Sequence, residues 1–283
     1  MKARKPHKQR PANNARDVAD HSAGMDTALL ARLHQSSGDP AAIALANKGA
    51  MVHLLRGDTF AARRLLDVVL RYQPEDPEAL LLLTSAALKR GAYDEAVALA
   101  ERAQRASPTL PVAHQLLVRA LFLAGRLDEA AEQTEVLLRG PSPDAESFVA
   151  KAEALSLMGW DQRLLDLRAE VGAVAEAAAQ GCHLCACAAL GLGLADEARR
   201  LWLRALELDP DLSIARDNLD DISRTPAERE GPWPFLLDQL IPDSLIGDLR
   251  RLFFQRVPVL ERCLKRVPAD APQSRLAQRP RIG

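Results

Sequence analysis

Three of the four cysteines crowd into one short run, CHLCAC at residues 182–187, with His183 among them. Thiols and an imidazole so close together suggest a zinc site, the commonest use of such a cluster inside a cell. The run stands in an Ala/Leu-rich stretch that reads as helix. At about 100° per residue, Cys182 and Cys185 fall on one helix face and His183 and Cys187 on another. Each face therefore offers two ligands, whereas structural zinc takes four. The other histidines, His7, His21, His34, His53 and His114, are scattered, and no partner set stands out. Buried, unreactive thiols are the expectation for Cys182 and Cys185. There is no HExxH, no GxSxG and no phosphate-cradling glycine loop, so neither a metal nor any other cofactor is expected.

The charge pattern narrows the choice further. The 283 residues carry a formal net charge of -1, which conceals an asymmetry. Residues 1–16 hold +6 and residues 250–283 hold +7, which leaves -14 on the remainder. An acidic body argues against nucleic-acid binding by the whole chain. The start, MKARKPHKQRPANNARDVAD, has no apolar stretch of the secretory kind. The longest apolar run, Leu184 to Ala195, is twelve residues including two glycines, short of the roughly 20 that span a bilayer. Integral membrane insertion is excluded on this reading, and a reducing cytoplasm is the expected compartment.

The elements that must position any site come from internal repetition. Glycines stand at Gly57, Gly91, Gly125, Gly159 and Gly193, each 34 residues after the last. Ala62, Ala96, Ala130, Leu164 and Ala198 keep the same step, as do Pro40, Pro74, Pro108 and Pro210. The stretches before the glycines, such as PEALLLLTSAALKR and PVAHQLLVRALFLA, lack internal proline and predict a helix. Glycine then supplies the left-handed residue that ends it. Asp94-Glu95, Asp128-Glu129 and Asp196-Glu197 follow, where a second helix exposes its free N–H groups. The prolines close each unit by pushing the preceding residue out of the helical region.

These units resemble tetratricopeptide (TPR) repeats, through the turn glycines, the DEA triplets, the alanine ladder and the closing prolines. The resemblance implies an all-α fold, a right-handed α-α superhelical solenoid of 34-residue helix-turn-helix units with a C-terminal helical cap. Five units cover 43–212, after a half-repeat helix at 24–42. The unit at 145–178 is degenerate: Lys151 stands where a core leucine is usual, Leu164 where alanine is usual, and both the DEA triplet and the proline are missing. Residues 1–23 and 268–283 are expected to be basic disordered tails.

Beyond Pro210, SIARDNLDDISR predicts an acidic capping helix over 213–224. An amphipathic extension over 225–267 follows. In DSLIGDLRRLFF, Leu245, Ile246, Leu249, Leu252 and Phe253 share a face with Arg250 and Arg251 opposite. In VPVLERCLKRV, Val259, Leu260, Cys263, Leu264 and Val267 do the same. Two readings stand: a cap lying on 213–224 and the fifth repeat, or a basic helix that docks on lipid or a partner.

In TPR proteins the first helix of each pair lines a concave groove that holds an extended peptide or a helix. Carried over by register, the partner-binding positions are Asn47, Met51, Leu81, Ser85, Lys89, Gln115, Arg119, Val149, Glu153, His183 and Cys187. The lysine/asparagine clamp of chaperone-binding TPR domains is matched only in part, by Asn47, Lys48 and Arg119. The resemblance implies a non-catalytic adaptor or scaffold whose partner is another protein. The roughly 60 residues that follow the capping helix, 225–283, are too few for a typical catalytic domain. The alternative function is membrane or nucleic-acid association through the basic N- and C-terminal segments.

Overall fold

The computed structural model describes residues 26–36, 38–224, 228 and 245–252. The expectations for residues 1–23, for VPVLERCLKRV and for 268–283 lie outside the described residues. The chain divides into two compact units, residues 1–86 and 87–283. Every described element is a helix or a turn, and the fold is an α-solenoid of helix-turn-helix repeats.

The first unit holds α1 (residues 26–35), α2 (Pro40–Leu55) and α3 (Thr59–Tyr72), together with the start of α4 (Pro77–Lys89). Asp39 caps α2 by accepting from the Ala42 N–H at 3.3 Å, and Pro40 opens that helix at its first position. Pro40 was expected to close the half-repeat before it; with Asp39 available as a cap, it starts the next helix instead. The half-repeat thus ends before residue 39, and α2 is one turn longer than its counterparts. A buried contact of 2.7 Å from His53 Nε2 to Asp26 Oδ1 ties α1 to α2.

The second unit contains α5 (Tyr93–Ala106), α6 (Pro111–Leu123), α7 (Leu127–Arg139), α8 (Ala145–Met158), α9 (Asp161–Val171), α10 (Ala173–Glu176), α11 (Ala179–Gly191), α12 (Ala195–Leu208) and α13 (Ser213–Ser223). Residues 245–252 form α14. In this unit first helices pack on their own second helices and on the first helix of an adjacent repeat: α6 on α7 and α8, α11 on α12 and α8.

The turns follow one design. Gly57, Gly91, Gly125, Gly159 and Gly193 have φ of 80, 71, 74, 70 and 83°. In each, the residue after the glycine donates its N–H to a carbonyl five residues back: Asp58 to His53, Ala92 to Ala87, Arg126 to Leu121, Trp160 to Leu155 and Leu194 to Ala189. This is the Schellman closure, which needs a left-handed residue where a Cβ would be strained. Ala62, Ala96, Ala130 and Ala198 then bury completely, because a methyl is all that fits where paired helices approach. The acids of the DEA triplets sit in first turns without capping them. Some pair with arginines, as Arg90–Glu95 at 2.8 Å and Arg168–Glu197 at 2.9 Å.

Repeat four breaks the design at its second helix. α9 stops at Val171, Gly172 turns at φ 55°, and a single helical turn, α10, follows. Leu164 is fully buried in the place of the alanine. Lys151 is buried too, and its Nζ donates to the Gly140 carbonyl at the end of α7. Desolvation lowers the Lys151 pKa, opposed by the charge of Glu170.

Candidate functional site

The first-helix positions named by register carry side chains of two kinds, and many of their polar groups are already engaged. In the first unit Asn47 is buried, and its amide N–H groups donate to Asp76 Oδ1 at 3.0 Å and Glu78 Oε2 at 3.2 Å. Asp76 also caps α4 through the Ala79 N–H at 2.8 Å. Asn47 therefore ties α2 to the head of α4, and a ligand carboxylate would have to displace two resident ones. Met51 is 45% exposed, while Leu81 and Ser85 are half-buried, with the Ser85 hydroxyl donating to the Leu81 carbonyl. Sequence reasoning missed the neighbours that make α2 adhesive: Leu45, Val52 and Leu55, with Phe60 of α3, are large apolar side chains left exposed. The signal for them is that α2 is apolar over more than one stripe.

In the second unit Lys89 is exposed, and Gln115, Arg119 and Val149 are half-buried. Gln115 donates to Glu153 Oε2 at 2.6 Å. Arg119 Nε lies 3.1 Å from Glu153 Oε1, an ion pair without hydrogen-bond alignment. Glu153 is only 6% exposed, so its charge is held by α6 partners rather than offered to a ligand. These contacts bind α6 to α8.

His183 and Cys187, expected on the same face, do not reach solvent: their exposures are 0% and 3%. The indole N–H of Trp202 donates to His183 Nδ1 at 3.1 Å, which assigns the ring hydrogen to Nε2, 3.7 Å from Cys187 Sγ. Trp202 is a fully buried core residue of α12, so this imidazole is a core acceptor. The other cysteine face is equally closed. Burial pushes the Cys182 thiol to about 11 and Cys185 to about 12, and the Cys182 thiol donates to the Ala175 carbonyl at 3.6 Å. Neither is a thiolate near neutral pH. Among the described residues no three His, Cys, Asp or Glu side chains converge on a metal position, and no helix is long and apolar enough to cross a membrane.

Arg250 departs furthest from its sequence reading. It was assigned to the outer face of the C-terminal helix, yet it is buried and its Nε donates to the Leu157 carbonyl at 3.0 Å. Leu157 is the penultimate residue of α8, where carbonyls lack intrahelical partners and a cation meets the negative end of the helix dipole. Ile246 and Leu249 are buried as expected, but Leu252 is exposed. The expectation placed this segment on residues 213–224 and repeat five; its arginine reaches repeat four. Nearby, Asp161 in the first turn of α9 retains some accessible surface, but its carboxyl group is enclosed. Desolvation raises its pKa to about 6 against the pull of Arg250.

Models of the tetratricopeptide repeat match residues 47–111 and 87–152. No curated protein matches the sequence. Among solved structures, a thermophilic TPR protein of Thermus thermophilus is similar at 23% identity and a TM-score of 0.54, covering 63% of this chain and 97% of that one. MamA of Desulfovibrio magneticus RS-1 is similar at 17% identity and a TM-score of 0.41, covering 60% of this chain and 96% of that one. YrrB, described as a TPR protein with an unusual peptide-binding site, is similar at 16% identity and a TM-score of 0.41, covering 67% of this chain and 96% of that one. The 34-residue period, the five left-handed turn glycines, the buried alanine ladder and the matching repeat models agree: the chain is a tetratricopeptide-repeat protein.

Proposed function

We propose that this protein is a non-catalytic adaptor that holds a peptide or helix of another protein against its first-helix faces. The observation that carries the reading is the mixed, partly open surface of those helices. Met51, Leu81 and Ser85 present it in the first unit, and Gln115, Arg119 and Val149 in the second. With Asn47 committed to Asp76 and Glu78, and Arg119 to Glu153, recognition rests on apolar contact and shape rather than on an anion clamp. A chaperone C-terminal carboxylate is therefore a poor fit. The cytoplasm is the proposed compartment, and the chemistry of the cysteine cluster supports no enzyme. Docking through the basic ends loses one of its cations, since Arg250 is buried.

The test is site-specific photocrosslinking in cells. A crosslinking residue at Ser85 or Met51 should capture a discrete partner, whereas one at Val136, exposed on the second helix α7, should not. Equal capture at all three positions, or none at Ser85 and Met51, would overturn the adaptor reading.

A further inference from the structure

In a two-layer helical array a first helix keeps one face for solvent or ligand, and the last repeat has the fewest neighbours to cover it. α6 follows this rule, with Val112, Gln115, Leu116 and Arg119 all partly accessible. α8 and α11 do not. Residues 147–158 of α8 are buried except Val149, and residues 181–189 of α11 are buried without a break. The closed positions include Glu153 and Cys187, which the repeat register assigns to the ligand face. Three residues of α14, Ile246, Leu249 and Arg250, are buried as well. Ile246 and Leu249 belong to the apolar cluster that contains Leu155 and Leu157 of α8 and Leu184 and Ala188 of α11. Arg250 caps α8 through the Leu157 carbonyl, beside Asp161. The Asp161 carboxylate in turn lies over Gly191 at the end of α11, where an added Cβ would come within 2.6 Å of Oδ2.

We infer that α14 is an intramolecular occupant of the ligand face of repeats four and five, and that the external partner it stands in for is an amphipathic helix of the same kind. This rests on the adaptor reading and supplies its partner class. The determinants are two apolar residues three apart and an arginine directly after the second, the pattern of Ile246, Leu249 and Arg250. The apolar pair enters the cluster, and the guanidinium takes the orphan carbonyl of α8 next to the Asp161 carboxylate. Arg251 is not part of the code, since it is exposed and pairs with Asp248 on its own helix. A partner helix gains access to these repeats only by displacing α14, so the occupied face is autoinhibited and the earlier repeats stay open.

A fluorescent peptide with the sequence DSLIGDLRRLFF, residues 243–254, tests this on the full-length chain. The native chain, filled in cis, should bind it weakly. A full-length Ile246→Asp/Leu249→Asp chain should keep its helix content and bind the peptide at least tenfold more tightly. Replacing the first arginine of the peptide by alanine should cost about tenfold of that affinity, and replacing the second should cost none. Equal affinity for the two chains, or indifference to the first arginine, would overturn the inference. So would loss of helix content in the double variant, checked beside the milder Arg250→Lys, because α14 would then be a structural member of the array. The assay needs no external partner and leaves Ser85 untouched, so it can fail while the crosslinking result stands, and the reverse.

Discussion

Repeats three and four have the same period and the same left-handed turn glycine, with φ of 74° at Gly125 and 70° at Gly159, but they resolve their packing in opposite ways. Repeat three is regular: Ala130 fills the close approach, α7 is one continuous helix and α6 keeps an accessible face. Repeat four has Leu164 in the alanine's place, a lysine in its core, a broken second helix and a first helix buried almost all round. The irregular repeat is the one that receives another part of the chain. Departures from a repeat motif can therefore mark a place where one surface serves two neighbours, and not simply decay of the motif.

The sharpest test reverses the usual logic of repeat consensus. Restoring alanine at Leu164 should destabilise the protein by about 2–5 kcal/mol, since the leucine is fully buried and its loss leaves a cavity. Introducing leucine at Ala130 should also destabilise, by roughly 1–3 kcal/mol, through overpacking. Thermal or urea unfolding of the two variants decides the matter. If Leu164→Ala proves neutral, repeat four is an ordinary repeat and the contrast fails.

Asp161 gives the next largest effect, read as a pH dependence. Its folded pKa of about 6 lies above the ordinary 3.8. The native state then holds the proton more tightly, and the stabilisation is complete below about pH 4 and lost as pH rises through about 6. The stability difference between the native chain and Asp161→Asn should change across that window by up to about 1.4 kcal/mol per pH unit, and stay flat above pH 7. A difference that does not vary between pH 4 and 6 would mean that this carboxyl is freely solvated. In the α6–α7 turn of repeat three the shift runs the other way. Hydrogen bonds from Arg126 lower the Glu129 pKa from 4.5, so the difference between the native chain and Arg126→Gln should shrink as pH falls below about 4.5 and stay flat above about pH 6.

Much of the fold was legible from side-chain size and backbone restriction alone. Glycine, alanine and proline report what the chain geometry forbids to other residues, so the turn at Gly91, the ladder at Ala96 and the helix end at Ser107–Pro108 could be placed without any tertiary information. Asp39–Pro40 was misassigned because the same dipeptide both ends and begins helices, and only the side-chain bond to the Ala42 N–H separates the two roles. The candidate site was less readable. A helical register says which residues share a face, but not what packs against it, so His183, which accepts from Trp202 of α12, and Cys187 beside it appeared open. Arg250 illustrates the same limit. A long cationic side chain beside an apolar stripe usually stays in water, and nothing local tells that an α8 carbonyl 93 residues away accepts its N–H.

The smallest predicted effect falls where the two repeats should agree. At Gly125 an added Cβ would meet nothing within 4 Å, so Gly125→Ala isolates the backbone cost of φ 74°, about 1 kcal/mol for a residue with a Cβ. Gly125→Asn should cost less, because asparagine tolerates the left-handed region better than alanine. The turn at Gly159 makes the same bond, from the Trp160 N–H to the Leu155 carbonyl at 3.0 Å, with the same sign of φ. Gly159 is itself buried, so Gly159→Ala should cost at least as much as Gly125→Ala, with any excess measuring what lies over the turn. Equilibrium unfolding of the three variants measures both terms. A cost at Gly159 well below that at Gly125 would mean that the repeat-four turn relaxes when substituted, and that its regular backbone is not what holds α8 in place to receive α14.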